Sequence, residues 1–329
     1  MLTNLIKLSG KKLLLPLYHA VSDEDLKHTR NVYSVRNTKQ FIEDIDFVLK
    51  YYKPIDINTL IDLASDNKSQ KENSVLFTFD DGLKEVYEVI VPILKAKGIP
   101  AIFFINSGFV DNRDLFYRYK ASLLIEEINS KNISRSVLDN IAAKLKIRIR
   151  DKNQIIKQIL SIDYNSKKEL DEIAQIIDLD FDVFLKQEQP YLTHDQITSL
   201  IDQGFTIGSH GIDHPEYYKI LFSEQVRQTT ESQQFVKKEF NTKYNLFAFP
   251  FTDYKVSKHF FEAIYSSTNP VVDLSFGCAG LKDENFRNHL QRVPMEIEGK
   301  STQRILQTEY LAYLVKKLIG KNKIRRDRW

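Results

Sequence analysis

Two adjacent carboxylates, Asp80 and Asp81, follow an apolar and partly β-branched stretch at residues 75–79. Asp-Gly between apolar runs often forms a hairpin turn, but the segment after Gly82 has helical rather than strand spacing, which weakens that interpretation. At the carboxyl end of a parallel strand, where α/β folds place their active sites, one of two adjacent acids can bind a cation while the other does not. The pair therefore indicates a site for metal or acid–base chemistry.

Two histidines, His210 and His214, provide the second chemical feature. Gly211 between them and Pro215 after them disfavour a regular helix, so the pair is predicted to lie on a turn after a strand at 205–207. Two histidines alone are typical of a surface or structural pair. With one carboxylate they form a three-ligand set, which suits zinc and similar divalent metals and leaves coordination positions open for water and substrate.

The spacing of apolar residues around these motifs predicts an α/β architecture. We expect strands at 13–18, 75–79 and 99–105, a helix that is capped by Thr38, and another from about 83 to 97. A strand, a helix and a strand joined by short connections favour parallel pairing. Parallel pairing would bring the ends of successive strands, and therefore the polar residues that follow them, to one edge of the sheet.

Residues 111–190 differ in character, because glycine is absent and the apolar spacing is helical. We interpret this stretch as a helical insertion within a single catalytic domain that spans residues 1–329. The alternating pattern then resumes, with strands near 205–207 and 246–249. Residues 301–329 are predicted to form an amphipathic helix and a basic tail. The basic end, residues 321–329, is typical of a frayed, solvated terminus; weak contact with a membrane surface or a partner is the alternative.

The composition excludes several classes of protein. Hydrophobic residues make up 42% of the chain, the balance of a globular protein with a core, and no stretch has the roughly 18–20 apolar residues of a membrane-spanning helix. A net charge of +3 gives no indication of nucleic-acid binding. Cys278 is the only cysteine, so no intrachain disulfide can form. Because no signal peptide is recognisable, we expect a cytoplasmic protein.

The two motifs resemble those of the polysaccharide deacetylases, which include chitooligosaccharide and peptidoglycan N-acetylglucosamine deacetylases with a NodB homology domain. Residues 78–82 match the Thr-Phe-Asp-Asp-Gly motif of the family. Residues 209–214 resemble its Ser/Thr-His-Ser/Thr-x-x-His motif, with Gly211 in place of the second hydroxyl residue. The resemblance covers about residues 13–106 and 191–295. It implies an α/β fold, an irregular (β/α) barrel of the deacetylase type, with the helical insertion.

The same resemblance implies roles for individual residues. Asp81, His210 and His214 would be the ligands of a divalent metal, for which Zn²⁺ is the expected ion. Asp80 would be the general base. The hydroxyl that Gly211 replaces shapes the loop rather than binding the metal, so the implied set of ligands is complete.

Two further segments resemble the family less closely. Residues 248–251 resemble the proline–aromatic motif that forms one wall of the substrate groove, although Ala248 stands where many members have an arginine. Residues 290–294 resemble the arginine-containing strand of members that lack that arginine, so Arg292 is expected to orient Asp80; a surface or structural salt bridge is the alternative. The residues predicted to contact substrate are Phe249, Pro250, Phe251 and Tyr254.

The general acid is expected near the N-terminus of the chain. Many members use a histidine after a C-terminal apolar strand, but His289 lies in a polar, loop-like context. Residues 14–19 instead form an apolar strand that ends in His19, which resembles the circularly permuted exopolysaccharide poly-N-acetylglucosamine deacetylases. We therefore hypothesise that His19 is the general acid; a buried structural histidine is the alternative.

The predicted reaction is hydrolysis of acetamide groups on the sugars of a polysaccharide, or of a lipid- or nucleotide-linked precursor in cell-surface glycan biosynthesis. A main-chain amide at 106–108 is expected to help to stabilise the oxyanion. Three alternatives stay open: an O-acetyl esterase, an amidase with a non-sugar substrate, and a catalytically inactive carbohydrate-binding or assembly protein. No nucleic-acid partner is expected.

Overall fold

Short apolar segments form strands of two to five residues, and the barrel of the protein is built from them. The computed structural model describes residues 1–65, 72–131, 133–147, 151–266 and 268–326. Within that part of the chain the strands are β1 (Leu13–Leu14), β2 (Pro16–Tyr18), β3 (Lys53–Pro54), β4 (Ser74–Val75), β5 (Phe77–Phe79), β6 (Ala101–Ile105), β7 (Thr206–Ser209), β8 (Leu246–Ala248), β9 (Leu274–Gly277), β10 (His289–Gln291) and β11 (Val293–Pro294).

Eight of these strands pair in parallel in the order β10-β9-β8-β7-β6-β5-β2-β11. The strands at the two ends of this order, β10 and β11, are separated in the chain only by Arg292. The segment 289–294 therefore pairs with β9 through β10 and with β2 through β11, so the sheet nearly closes into a barrel. A second, small parallel sheet has the order β1-β4-β3.

Two clusters of buried apolar side chains lie on opposite faces of the barrel strands, because side chains alternate along a strand. Ile102 and Phe104 of β6 belong to the cluster that includes Leu246 and Phe276 of neighbouring strands. Ala101, Phe103 and Ile105 face the other way, into the cluster that contains the apolar faces of the surrounding helices. Both faces of these strands are therefore covered by apolar side chains. The polar groups of the site lie on the residues just beyond the carboxyl ends of the strands.

The chain folds into two compact units. The barrel unit comprises Met1–Asp23, Val35–Asp111 and Tyr191–Trp329; the helical unit comprises Glu24–Ser34 and Asn112–Pro190. The described α-helices of the barrel unit are α1 (Leu2–Ser9), α2 (Thr38–Leu49), α3 (Ile57–Ser65), α4 (Val91–Ala96), α10 (His194–Asp202), α11 (Phe222–Phe240), α12 (Lys258–Ile264) and α13 (Thr302–Leu318).

Two local features of these helices differ from the sequence-based expectation. The cap of α2 is Asn37 rather than Thr38: its side chain accepts the main-chain N–H of Gln40, and the Gln40 side chain accepts the N–H of Asn37, which makes a capping box. The helix expected at 83–97 is divided into a π-helical turn, Val86–Ile90, and α4. Pro92 stands in the first turn of α4, where the N–H that proline lacks has no helical partner.

The helical unit contains α5 (Tyr117–Ser130), α6 (Arg135–Lys144), α7 (Lys152–Ser161), α8 (Lys168–Ile176) and α9 (Phe181–Glu188) in its described residues. Residues 24–34 also belong to it, which the sequence pattern gave no reason to expect. There His28 is 4% exposed, and its ring packs against Tyr119 and Phe184. Across the described chain, no helix has both the length and the hydropathy that crossing a bilayer requires.

Candidate active site

His210 and His214 lie on the turn that follows β7. The main-chain N–H of His210 donates to the carbonyl of Ile105 at 2.8 Å, and its ring Nδ1 lies 2.8 Å from the carbonyl of Ala248. A carbonyl can only accept, so the proton is on Nδ1 and the lone pair is on Nε2. Burial and the adjacent His214 lower the pKa of His210 from 6.5 to about 4, which keeps the ring neutral at pH 7.

The lone pair of His210 points towards Asp81. Nε2 of His210 is 3.5 Å from Oδ1 of Asp81, and Nε2 of His214 is 3.2 Å from the same oxygen. Burial opposes ionisation of Asp81, but the three histidines around it (His214, His19 and His210) outweigh burial and hold its pKa well below the usual range. One donor atom from each of Asp81, His210 and His214 lies within 4.8 Å of the others. Two imidazoles and one carboxylate fit a catalytic divalent-metal site.

The neighbouring carboxylate, Asp80, forms a bidentate ion pair with Arg292. Nη1 of Arg292 donates to Oδ1 at 2.6 Å and Nη2 donates to Oδ2 at 2.7 Å. Both residues are buried, and Arg292 also donates from Nε to the carbonyl of Gly277. Burial raises the pKa of Asp80, but Arg292 and His210 outweigh it and lower the pKa below its usual value. Burial of this pair excludes a surface salt bridge for Arg292; its role in orienting Asp80 stays a prediction.

His19 follows β2, and its partner is Glu296, which the sequence analysis did not identify. The ring Nδ1 of His19 donates to Oε2 of Glu296 at 2.5 Å, and its main-chain N–H donates to the same oxygen at 3.0 Å. The N–H of Ala20 donates to Oε1. Burial disfavours protonation of His19, but Glu296, with Asp81 and Asp80, raises its pKa from 6.5 to about 9. His19 is therefore protonated at neutral pH.

The loop that carries Glu296 is fixed by a buried arginine. Arg36 donates from Nη2 to the carbonyls of Met295 and Lys300, at 2.7 and 2.9 Å. Its Nε donates to Asp44 at 3.0 Å, and the hydroxyl of Tyr18 donates to the same carboxylate oxygen. Tyr18 is the residue before His19, so these contacts connect the backbone beside His19 to the backbone beside Glu296.

The loop after β6 supports the histidine turn. The Asn106 side chain donates to the carbonyl of His210 at 2.6 Å. The amide of Ser107 donates to the carbonyl of Gly211, and the amide of Gly108 donates to that of Ile212. Because the amides of residues 107 and 108 already have acceptors, they do not fit the oxyanion role that we expected at 106–108. Gly211 has φ +79°, a left-handed conformation that favours glycine over the hydroxyl residue of the motif.

The four residues predicted to contact substrate have different environments. Phe249 is 1% exposed and packs in an apolar cluster, with its ring 5.3 Å from Tyr217, so it presents no surface to a substrate. Pro250 is also buried. Phe251 is half-buried, and its ring lies 4.6 Å from that of His214. Tyr254 is 54% exposed. Phe251 and Tyr254 are thus the two members of the set that a substrate can reach.

A second buried polar cluster, which no local sequence pattern indicates, surrounds Asp253. His289, expected to be loop-like, is the first residue of β10, and its Nε2 lies 3.0 Å from Oδ2 of Asp253. Arg326 contacts that same oxygen and donates to Glu284 at 2.6 Å. Asp253, Glu284 and His289 are close enough to share an ion, but the guanidinium of Arg326 already supplies the positive charge. Burial, with Asp253, also raises the pKa of the nearby Cys278 thiol to about 11, so Cys278 is not a thiolate nucleophile.

Both the sequence and the fold are similar to those of known proteins. The family model "Polysaccharide deacetylase" matches residues 67–261, more than half of the chain, and no curated protein sequence matches it. Deacetylase PplD of Streptococcus pyogenes, solved in complex with acetate, is similar in structure, with a TM-score of 0.56 and 15% identity over 91% of this chain and 98% of PplD.

Two further solved structures show the same likeness. IcaB from Ammonifex degensii has a TM-score of 0.55 and 15% identity over 91% of this chain and 97% of its own. A de-N-acetylase from Aggregatibacter actinomycetemcomitans has a TM-score of 0.53 and 16% identity over 89% of this chain and 99% of its own. These likenesses confirm the predicted fold class, an irregular (β/α) barrel.

Proposed function

The chain belongs to the polysaccharide deacetylase family, a family of hydrolases that act on carbon–nitrogen bonds, and on that premise we propose that it removes acetyl groups from N-acetylated sugars of a polysaccharide or glycan precursor. One observation carries the proposal: three residues that could hold a metal ion, a carboxylate paired with Arg292 and a histidine paired with Glu296 all follow the carboxyl ends of barrel strands. Amide hydrolysis requires a base for the attacking water and an acid for the departing amine.

Asp81, His210 and His214 are the residues that would hold a divalent ion, and Zn²⁺ is the ion that we expect. When bound, such an ion supplies polarisation of the acetyl carbonyl and a lower pKa for water. The hydrogen bond from His210 to the carbonyl of Ala248 fixes the ring with Nε2 towards Asp81, so the ligand set is oriented in advance.

Asp80 is the proposed general base. It is ionised because Arg292 pairs with both of its oxygens, and its Oδ2 lies 3.7 Å from Nε2 of His210, beside the ligand set. In that position Asp80 would take a proton as water attacks the acetyl carbon. Arg292 acts through Asp80 and is therefore a positioning residue.

His19 is the proposed general acid. An amine is a poor leaving group unless it is protonated as the carbon–nitrogen bond breaks. His19 holds a proton at neutral pH and is oriented by Glu296, while its side chain remains 25% exposed. The products are acetate and the free amino sugar, with the proton taken up by Asp80 balancing the proton given by His19.

The substrate side of the site suits a carbohydrate. Phe251, beside His214, and Tyr254 present aromatic surface in the loop after β8. Aromatic rings offer apolar area at a low cost in side-chain entropy. We propose that this loop forms one wall of the cleft in which the acetylated sugar lies.

The test is acetate release from a panel of N-acetylated and O-acetylated sugars by metal-loaded wild type and Asp80→Asn. The matched control is Asp195→Asn, the same change on a fully exposed side chain. We expect wild type and the control to release acetate from N-acetylated sugars, and Asp80→Asn to bind metal without turnover. Equal rates for wild type and Asp80→Asn would contradict the proposal; sugar binding without any release by wild type would indicate a non-catalytic binding protein.

A further inference from the structure

The basic end of the chain is anchored to the barrel unit, at least as far as residue 326. Ile324 donates its main-chain N–H to the carbonyl of Asp283 at 3.0 Å, and Asp283 donates to the carbonyl of Asn322 at 2.9 Å. The side chain of Asn322 also donates to Asp283. Arg326 then enters the buried cluster around Asp253. The frayed terminus predicted from sequence is thus wrong for residues 322–326, whereas 327–329 lie outside the described residues.

Within this anchored tail, buried and exposed side chains alternate. Asn322, Ile324 and Arg326 are 8%, 8% and 1% exposed, whereas Lys321 before them and Lys323 and Arg325 between them are exposed. Alternation of this kind is the property of extended backbone, in which successive side chains point to opposite sides. The tail therefore presents three cations outward, namely Lys321, Lys323 and Arg325.

A cavity of about 630 Å³ lies between this tail and the loop after β8, and the three cations line it. The other lining residues include Lys282, Thr252 and Tyr254. Among the described residues, no carboxylate forms an ion pair with Lys282, Lys321, Lys323 or Arg325. Asp253 is the one acid in the lining, and it already pairs with His289 and Arg326.

We propose that this cavity binds a phosphate group that is carried by the glycan substrate, an inference that rests on the proposed function. Four cations that have no ion-pair partner within the described part of the chain line one concave surface, which favours an anion. A phosphate has the charge and the acceptor oxygens to match them. The volume of the cavity is within the usual range for ligand sites, roughly 300–1,000 Å³.

The position of the cavity relates it to the candidate active site. Tyr254 is three residues beyond Phe251, a separation of at most about 11 Å even for a fully extended chain. Phe251 contacts His214, and Tyr254 lines the cavity. A single loop therefore contributes to both places, so a sugar at the metal-ligand set and a phosphate attached to it or to a neighbouring sugar can be held together.

The experiment measures binding of three probes to the 329-residue chain with the Asp80→Asn change, which prevents turnover. The probes are N-acetylglucosamine, N-acetylglucosamine 1-phosphate and UDP-N-acetylglucosamine. The test variant adds Lys321→Ala, Lys323→Ala and Arg325→Ala. The control variant instead adds Lys39→Ala, Lys50→Ala and Lys95→Ala, three exposed lysines without ion pairs among the described residues, so both variants lose three positive charges.

We expect the control to bind a phosphorylated sugar more tightly than N-acetylglucosamine. The tail variant should bind the phosphorylated sugar about tenfold more weakly than the control does. The preference should weaken as the ionic strength rises from about 0.05 to 0.5 M. The phosphorylated probe with the higher affinity shows whether the cavity prefers the single phosphate of a sugar phosphate or the diphosphate of a nucleotide sugar. Any affinity of phosphate for the metal site is common to both variants and cancels in the comparison.

Two results would overturn the inference: no preference for phosphate in the control, or an undiminished preference in the tail variant. Thermal unfolding at the same temperature in both variants would show that the tail substitutions leave the fold intact. Acetate release by the protein with Asp80 intact is measured separately. If the control shows no phosphate preference while the protein with Asp80 intact releases acetate from N-acetylglucosamine, the phosphate inference fails and the deacetylase proposal stands.

Discussion

His19 donates to Glu296 twice, from its ring at 2.5 Å and from its main chain at 3.0 Å, and both hydrogen bonds end on the same carboxylate oxygen. Two donors on one oxygen fix both the position and the orientation of the imidazole. The carboxylate also raises the pKa of the ring to about 9. Glu296 is therefore a positioning residue for the proposed acid, and its effect can be measured through pH.

The first prediction concerns the alkaline limb of the pH–rate profile. An acid must be protonated, so kcat/KM should be maintained below the pKa of His19 and fall as pH rises through about 9. Glu296→Gln removes the main influence that raises this pKa, and burial then lowers it, so the limb should move down by about one unit or more. Glu298→Gln, an exposed acid on the same loop, is the control. An unmoved limb in Glu296→Gln would exclude His19 as the acid.

The second prediction concerns Arg292. Arg292→Ala leaves Asp80 buried without its cation, which should cost about 3–5 kcal/mol of unfolding free energy, and it should abolish acetate release. Arg292→Lys keeps the charge but loses one arm of the bidentate pair, so it should fold and retain about a tenth or less of kcat. Urea unfolding and initial rates provide the measurements, with exposed Arg304→Ala as the control. Normal kcat in Arg292→Lys would show that the geometry of the pair is unimportant.

The third prediction concerns the metal. His210→Ala and His214→Ala should each lose the bound ion, as measured by atomic emission, whereas His259→Ala, 75% exposed and remote from the ligand set in sequence, should keep it. A chelator should lower the melting temperature of wild type and of His259→Ala, because a ligand that binds only the folded state stabilises it. The two ligand variants should not respond. Full metal content in His210→Ala would refute the assignment of the ligands.

The fourth prediction tests the support of the histidine turn. A Cβ at residue 108 would lie 2.7 Å from the carbonyl oxygen of Ile212. Main-chain hydrogen bonds between the loop after β6 and the histidine turn hold that oxygen in place. Gly108→Ala should therefore destabilise the protein by about 1–3 kcal/mol and weaken metal binding by displacing the turn. Gly10→Ala, which meets no atom within 4 Å, should cost about 1 kcal/mol through its left-handed φ alone and leave metal affinity unchanged. Equal effects of the two substitutions would contradict the proposed support.

The residues of the ligand set and the proposed base could be predicted from sequence because each pair lies within a short motif. Asp80 and Asp81 are adjacent, and His210 and His214 are four residues apart, so local order already places them together at a strand end. Glu296 could not be found in this way. Its contact with His19 depends on the pairing of β11 with β2, in which Val293 lies opposite Pro16, and a register between segments so far apart in sequence has no local pattern.

The environments of His289 and Phe249 were predicted incorrectly for a related reason. The neighbours of His289 in sequence are polar, so the segment was expected to be a loop, but tertiary partners satisfy it: Ser275 and Asp253 bind its two ring nitrogens. Phe249 was expected to face the substrate from its place in a motif, whereas the apolar side chains around β8 bury it. Local composition does not report the partners that a fold brings from elsewhere.

The strand that nearly closes the barrel has a consequence for the resting state of the site. Arg292 and Glu296 lie four residues apart on this one stretch, and they contact Asp80 and His19 respectively. Arg292 lowers the pKa of Asp80, and Glu296 raises the pKa of His19. A single short segment thus sets the protonation of both proposed catalytic groups before substrate arrives: Asp80, the proposed base, is ionised and His19, the proposed acid, is protonated, so no proton exchange between them is needed to begin a turnover.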